Sequence, residues 1–277
     1  KERHQGTEFG KENSGQVPII RHPDVKRNLL WMKSHTEGMR ALIQYTAYCI
    51  DRLSVASSEQ EIEKWQDLVG VLIPVCKAYC TDKGFEVCAR SIQTHGGYGY
   101  CHPYMIEQFA RDCKVASIYE GTNGIQAIDL FRRKIRIRGG GALRTVISQI
   151  NEIVQEASRI GELSDYAQEV HLAISAFQEI SDHLIRQTSS EEAYLADSWA
   201  TPYLEILGDI ILGWMFIWQA KVAYENMPNR RADELFYSVK VKTAKFYIRS
   251  ILPVVHGKIE AIRKNEKSLL GMANEVF

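Results

Sequence analysis

Proline is scarce in this sequence, and strands find little footing in it. Seven prolines and 19 glycines in 277 residues are too few turn-formers for an all-β sandwich, and no stretch alternates apolar and polar residues as a half-buried strand does. Cysteine occurs at Cys49, Cys76, Cys80, Cys88, Cys101 and Cys113, yet never as a Cys-x-x-Cys pair. That argues against a zinc site, and a chain of this size does not need a disulfide framework. Cys76 and Cys80 read as small buried thiols. A membrane span is also missing. The most apolar run, Ile206 to Trp218, has thirteen residues and contains Asp209, short of the roughly 20 a span needs, so it reads as a buried helix. Net charge is absent too: 34 basic residues balance 34 acidic ones, so the whole chain is not a polyanion binder.

What is present is helical periodicity. From Asp24 to about Ser54, Val25, Leu29, Leu30, Met32, Met39, Leu42 and Ile43 recur at three and four, as on one face of a helix. Ser58 followed by Glu61 fits a capping box and opens a second long helix, about Glu59 to Ile92, which Pro74 is expected to kink. The pair makes an antiparallel hairpin. The glycine-rich run Thr94-His95-Gly96-Gly97-Tyr98-Gly99-Tyr100 is expected to be irregular. A short helix follows from Pro103 to about Asp112, then the loop Ile118–Asn123 and a helix over about 125–137, capped by Thr122 or Asn123. Gly139-Gly140-Gly141 serves as a linker. Four further helices are predicted, over about 142–160, 164–187, 202–226 and 233–265, the last kinked at Pro253. The fold class is all-α: an antiparallel bundle over residues 1–138 and a second bundle over 142–277.

Charge supports that division. Residues 1–150 hold 21 basic and 16 acidic side chains, residues 151–210 hold 2 and 12, and residues 226–267 hold 10 and 4. The last two stretches read as complementary neighbouring helices. The basic one could be a nucleic-acid patch, but the acidic segment beside it cancels its field.

Glu120 is the sharpest chemical candidate, between Tyr119 and Gly121 at the mouth of a helix. A carboxylate among aromatic and apolar groups suits a base working near neutral pH, and the N–H groups after it could bind a developing oxyanion. On composition alone, a helix-start carboxylate balancing the dipole is the simpler reading. His95 reads as a hydrogen-bonded structural residue and Arg111-Asp112 as an ion pair. Trp199, Trp214 and Trp218 read as core.

The ordered motifs Gln93–Tyr100, Glu107-Gln108, Arg111-Asp112 and Ile118-Tyr119-Glu120-Gly121-Thr122-Asn123, with Lys1–Gly6 ahead of them, resemble the C-terminal helical domain of acyl-CoA dehydrogenases. The resemblance covers residues 1–138. Residues 142–277 are similar to the additional helical domain of a longer subgroup. It implies an FAD-dependent α,β-dehydrogenation of an acyl-CoA thioester, with Glu120 as the base that removes the α-proton and its N–H on the thioester carbonyl. It implies substrate contacts at Tyr119 and Gly121. FAD contacts are implied at Arg3, Gln5, Gln93, Gly96, Gly97, Thr122 and Asn123, those of Arg3 and Gln5 reaching the cofactor of a neighbouring subunit. Here Asn123-Gly124 departs from the family's frequent Ser-Gln. No metal is implied. The implied partners are electron-transferring flavoprotein and further copies of the chain in a homodimer or homotetramer, with no membrane and no nucleic acid. The family's N-terminal helical and middle β domains are not in this sequence, which opens Lys1-Glu2-Arg3 without Met or secretory leader. It reads as a piece of a longer cytoplasmic enzyme, or a mitochondrial matrix enzyme in a eukaryote, inactive by itself. An acyl-CoA oxidase and a non-catalytic helical or nucleic-acid-associated relative are the competing readings.

Overall fold

A computed structural model describes residues 2–11, 15–188, 193–229, 233–272 and 275. The helices are α1 (Pro23–Val55), α2 (Glu59–His95), α3 (Gly97–Tyr100), α4 (Ile106–Val115), α5 (Asn123–Arg132) and α6 (Gly141–Ser158). They continue with α7 (Gly161–Gln187), α8 (Ala193–Ser198), α9 (Ala200–Asn226), α10 (Glu234–Ser250), α11 (Val254–Lys264) and α12 (Ser268–Gly271). No strand forms among the described residues; the fold is all-α.

The long hairpin forms as its sequence predicts. Ser58 caps α2 by accepting the Glu61 N–H at 3.2 Å, the anchor that a capping box provides. The helix continues across Pro74, which is buried in the core. The helix expected over 125–137 spans Asn123–Arg132 and is followed by a separate 3-10 turn, Lys134–Arg136, and three further expectations differ. First, Thr94–Tyr100 is largely helical: α2 runs to His95, and a separate turn, α3, follows. Gly96 between them has φ +64°, which a residue without Cβ adopts readily, so the chain reverses there and resumes helix. Second, the helix expected over 103–112 is shifted to Ile106–Val115. Third, Pro253 does not kink one helix; α10 ends at Ser250 and α11 begins at Val254, because proline offers no N–H to continue the ladder.

The centre of the bundle is α9. By length and composition it could cross a membrane, yet most of it is buried inside the protein. Ile206, Leu207, Ile210, Ile211, Leu212 and Ile217 are all inaccessible to solvent, each contributing about 1.5–3 kcal/mol relative to exposure. It packs against α1, α2, α5, α6, α7, α10 and α11. Helices from both sides of the triglycine join one hydrophobic cluster: Leu42, Leu68 and Leu72 of the first hairpin meet Val146, Phe177 and Trp214 there. The triglycine itself is bridged. Buried Asp67 on α2 accepts from the Arg138 guanidinium and from Thr145 Oγ1 at 2.8 Å, so one carboxylate holds both flanks.

The complementary charges do meet. Arg263 pairs with Glu179 at 2.7 Å, and Lys258 with Glu205 at 2.9 Å and Asp209 at 2.7 Å. These contacts cross from the basic stretch to the acidic one. Trp214 is buried in the core, with Trp199 and Trp218 packed against it. Cys76 and Cys80 are half-buried rather than enclosed, and burial pushes both thiols upward.

Candidate functional site

Two places gather the residues singled out by sequence. The first is the loop between α4 and α5. After α4, Ile118 and Tyr119 donate their N–H groups to Val115 O at 3.0 and 3.2 Å. Glu120 then has φ +54° and Gly121 φ +87°. A left-handed glutamate is uncommon, costs about 1–3 kcal/mol and persists only where its surroundings impose it. The loop closes where Asn123 N–H donates to Ser117 O at 3.1 Å. Thr122 caps α5, its Oγ1 accepting from Ile125 N–H at 3.4 Å. Tyr119, Glu120, Gly121 and Thr122 are exposed. Among the described residues, no acceptor takes the N–H groups of Glu120, Gly121 and Thr122. Chemically, this is an exposed carboxylate followed by donors left for an oxygen from elsewhere. Exposed Tyr98, Tyr104, Met105, Phe109, Ile118 and Ile125 on the same stretch of chain supply apolar surface.

Asn123 differs from these neighbours. It is 8% exposed, and its amide faces α2: Nδ2 donates to Ala78 O at 3.1 Å and to Thr81 Oγ1 at 2.9 Å, while Oδ1 accepts from Lys77 Nζ at 2.8 Å. The capping residue is Thr122, and Asn123 is the first residue of the helix.

The second place is a cleft of about 370 Å³ lined by Arg3, Gln5, Asn28, Gln93, Thr94 and Gly96, among others. The sequence pattern predicts loop over residues 1–17 and gives no account of how they reach Gly96. The structure supplies it: the segment doubles back on itself, Ile19 N–H donating to Arg3 O at 2.9 Å and Gln5 N–H to Val17 O at 3.0 Å. Arg3 thereby lies over the end of α2 and donates to His95 O at 3.1 Å. A Cβ at Gly96 would lie 2.6 Å from Arg3 Nη1, and one at Gly97 would meet nothing within 4 Å. The backbone at Gly97 is therefore bare. A guanidinium and three carboxamides fit the polar part of a dinucleotide. Gly97 lies beside this cleft in sequence without lining it.

Two other expectations are settled. His95 is held within α2, its Nδ1 2.8 Å from Ser91 O. Arg111 pairs with Glu107, not Asp112, at 3.0 Å, because residues four apart on a helix face one another. Among the described residues, no three His, Cys, Asp or Glu side chains converge as metal ligands.

The polar structure that sequence reasoning missed lies deeper. Tyr79 donates to Asp209 Oδ1 at 2.7 Å, Lys258 to Asp209 Oδ2 at 2.7 Å, and Tyr247 to Asp209 O at 3.0 Å. Lys83 joins through Glu205 at 2.9 Å. Asp209 within the apolar run was the visible signal, since a buried carboxylate requires partners.

With this geometry in hand, similarity to known proteins identifies the class. Residues 9–135 match the family model described as acyl-CoA dehydrogenase, C-terminal domain, and residues 146–273 match that described as acetyl-CoA dehydrogenase C-terminal like. The chain belongs to the acyl-CoA dehydrogenase family and carries the helical regions those two models describe. A butyryl-CoA dehydrogenase of Syntrophomonas wolfei is 32% identical over 286 residues, covering 100% of this chain and 46% of its own. A 3-methylmercaptopropionyl-CoA dehydrogenase of Ruegeria pomeroyi is 33% identical over 255 residues, covering 92% of this chain and 43% of its own. The chain thus spans about half the length of these curated relatives. In fold it is similar to an acyl-CoA dehydrogenase from Bacillus anthracis complexed with FAD, with a TM-score of 0.66 and 17% identity over 94% of this chain and 45% of that one.

Proposed function

We propose that this chain is part of an FAD-dependent acyl-CoA dehydrogenase in which Glu120 removes the α-proton of an acyl-CoA thioester. Residues 1–138 form its flavin- and substrate-facing helical domain, and residues 142–277 an added bundle. The observation that carries the reading is Glu120 itself. It is exposed, held at φ +54° in a loop pinned at both ends, and followed by N–H groups with no acceptor among the described residues.

The chain's own chemistry follows from that. The Glu120 carboxylate takes the proton from the α-carbon. The Glu120 N–H donates to the thioester carbonyl oxygen as negative charge builds there, which lowers the cost of the enolate-like transition state. Tyr119 and Gly121 border the acyl chain. Thr122 lies beside the cofactor, and Arg3, Gln5, Gln93, Gly96 and Gly97 hold its polar part, the first two for a neighbouring subunit of a homodimer or homotetramer. When bound, the flavin supplies the acceptor for the β-hydride, and electron-transferring flavoprotein collects the electrons. The dehydrogenase names of the relatives and the FAD of the structural neighbour support this reading.

The test is Glu120→Gln in the intact enzyme. It retains flavin and loses exchange of substrate α-protons with solvent. Turnover equal to wild type ends the assignment.

A further inference from the structure

We propose that Asn123 is a positioning residue for Glu120, acting through Lys77, Ala78 and Thr81 of α2, and that its amide does not contact the flavin. The inference rests on the reading of Glu120 as the base, and it revises the cofactor contact that the family resemblance implies at Asn123.

The argument is one of hydrogen-bonding capacity. A carboxamide has two donors and one acceptor oxygen. Here Nδ2 reaches Ala78 O at 3.1 Å and Thr81 Oγ1 at 2.9 Å, and Oδ1 receives Lys77 Nζ at 2.8 Å. Thr81 is itself fixed, its Oγ1 lying 2.8 Å from Lys77 O. Both donors are used, Oδ1, which can accept twice, also lies 3.3 Å from Thr81 Oγ1, and with 8% of the residue exposed the amide is spent on α2 and not on a group outside the protein.

The consequence reaches Glu120. A left-handed non-glycine residue persists only where its surroundings impose it. The Asn123 N–H closes the loop onto Ser117 O at 3.1 Å, while its side chain ties that closure to one turn of α2. Glu120 lies three residues before the anchor, so its carboxylate is placed relative to α2 as well as its own loop. The amide is chemically required. A carboxylate in its place could accept from Lys77 but could not donate to Ala78 O, and an apolar side chain would leave Lys77 and the Ala78 carbonyl without this partner. Misplacing a catalytic group by about 1 Å can cost around 100-fold in rate.

The experiment uses the intact enzyme and an acyl-CoA with sulfur at the β-position, which has α-hydrogens but no β-hydride to lose. Exchange of its α-protons with deuterated solvent is followed by NMR, beside flavin content, KM and kcat. Asn123→Asp and Asn123→Ala slow exchange and kcat by at least about tenfold, with flavin content and KM within about twofold of wild type. Thr81→Ser keeps the hydroxyl and stays near wild type. Lys77→Met, on a half-exposed position, gives a loss intermediate between them and serves if the Asn123 variants do not fold. Wild-type exchange in the Asn123 or Lys77 variants overturns the proposal, as does flavin loss with normal exchange per bound flavin. If Glu120→Gln also exchanges normally, the base assignment has failed and takes this proposal with it. Slow exchange in Glu120→Gln with normal exchange in the Asn123 variants sinks the positioning role alone.

Discussion

Gly208 on α9 lies so close to Tyr79 on α2 that a Cβ at position 208 would sit 2.1 Å from the Tyr79 ring carbon Cδ2. The ring cannot swing aside, because its hydroxyl is held 2.7 Å from Asp209 Oδ1 and the residue is buried. Gly208→Ala is therefore expected to destabilise the chain by about 3 kcal/mol or more, at the upper end of overpacking penalties. Urea denaturation of this chain checks it, and a midpoint equal to wild type contradicts the close approach.

Tyr79→Phe tests the same junction from the other side. It keeps the ring but removes the donor to Asp209 Oδ1, leaving a buried carboxylate oxygen short of a partner. The expected loss is about 1–3 kcal/mol, read from the same denaturation curves. A change below about 0.5 kcal/mol, the ordinary scatter of surface substitutions, would mean that the Tyr79 bond contributes nothing net.

Buried His35 gives a pH signature. Burial holds its imidazole below its ordinary 6.5, outweighing the Trp31 carbonyl that accepts from it. Above that value the residue is neutral folded or unfolded, and contributes no pH dependence. As pH falls below it, the unfolded chain binds a proton that the folded chain resists, so stability declines by up to about 1.4 kcal/mol per pH unit. His35→Gln should flatten that slope between about pH 7 and 5, whatever its effect on absolute stability. Chemical unfolding across that range decides the point: an unchanged slope rules out His35 as its source. The window is separate from that of Glu205, whose carboxyl lies below its ordinary 4.5 through its bonds to Lys258 and Lys83 despite opposing burial, so its contribution fades only in stronger acid.

Glu120 should show a conflict between stability and activity. Glu120→Gly relieves the left-handed backbone and is expected to raise stability by about 1 kcal/mol, while the intact enzyme loses turnover. Thermal unfolding and an activity assay read the two effects separately. A lower melting temperature would mean that the side chain's contacts outweigh the strain.

At Gly96, φ is +64° and a Cβ would lie 2.6 Å from Arg3 Nη1. Gly96→Ala should push Arg3 off the end of α2 and weaken FAD binding in the intact enzyme by about tenfold, the size of a lost charge-assisted contact. Equilibrium dialysis measures it, and unaltered FAD affinity removes this cleft from the cofactor site.

Much of this was legible along the chain. The spacing of Leu29, Met39 and Leu42, the Ser58–Glu61 cap and the triglycine between two helices are local, and backbone sterics act over a few residues. The helical character of His95 and Gly97–Tyr100 was not legible, because glycine permits helix and turn alike, and contacts with Arg3 and α2 select between them. Asn123 shows the same limit. Its position after Thr122 marks a helix start, but only Lys77, Ala78 and Thr81, more than 40 residues away in sequence, fix where its amide points.

The sequence by itself determined the all-α character, the order of the main helices, the charge complementarity of the second half and the motif around Glu120, because each depends on neighbouring residues or on composition. Tertiary structure alone decided that Asp209 joins Tyr79 and Lys258, that Asp67 bridges the triglycine, and that residues 2–11 fold back to set Arg3 against Gly96. Those contacts join groups distant in sequence, and their free energy exists only once the chain has removed both partners from water together.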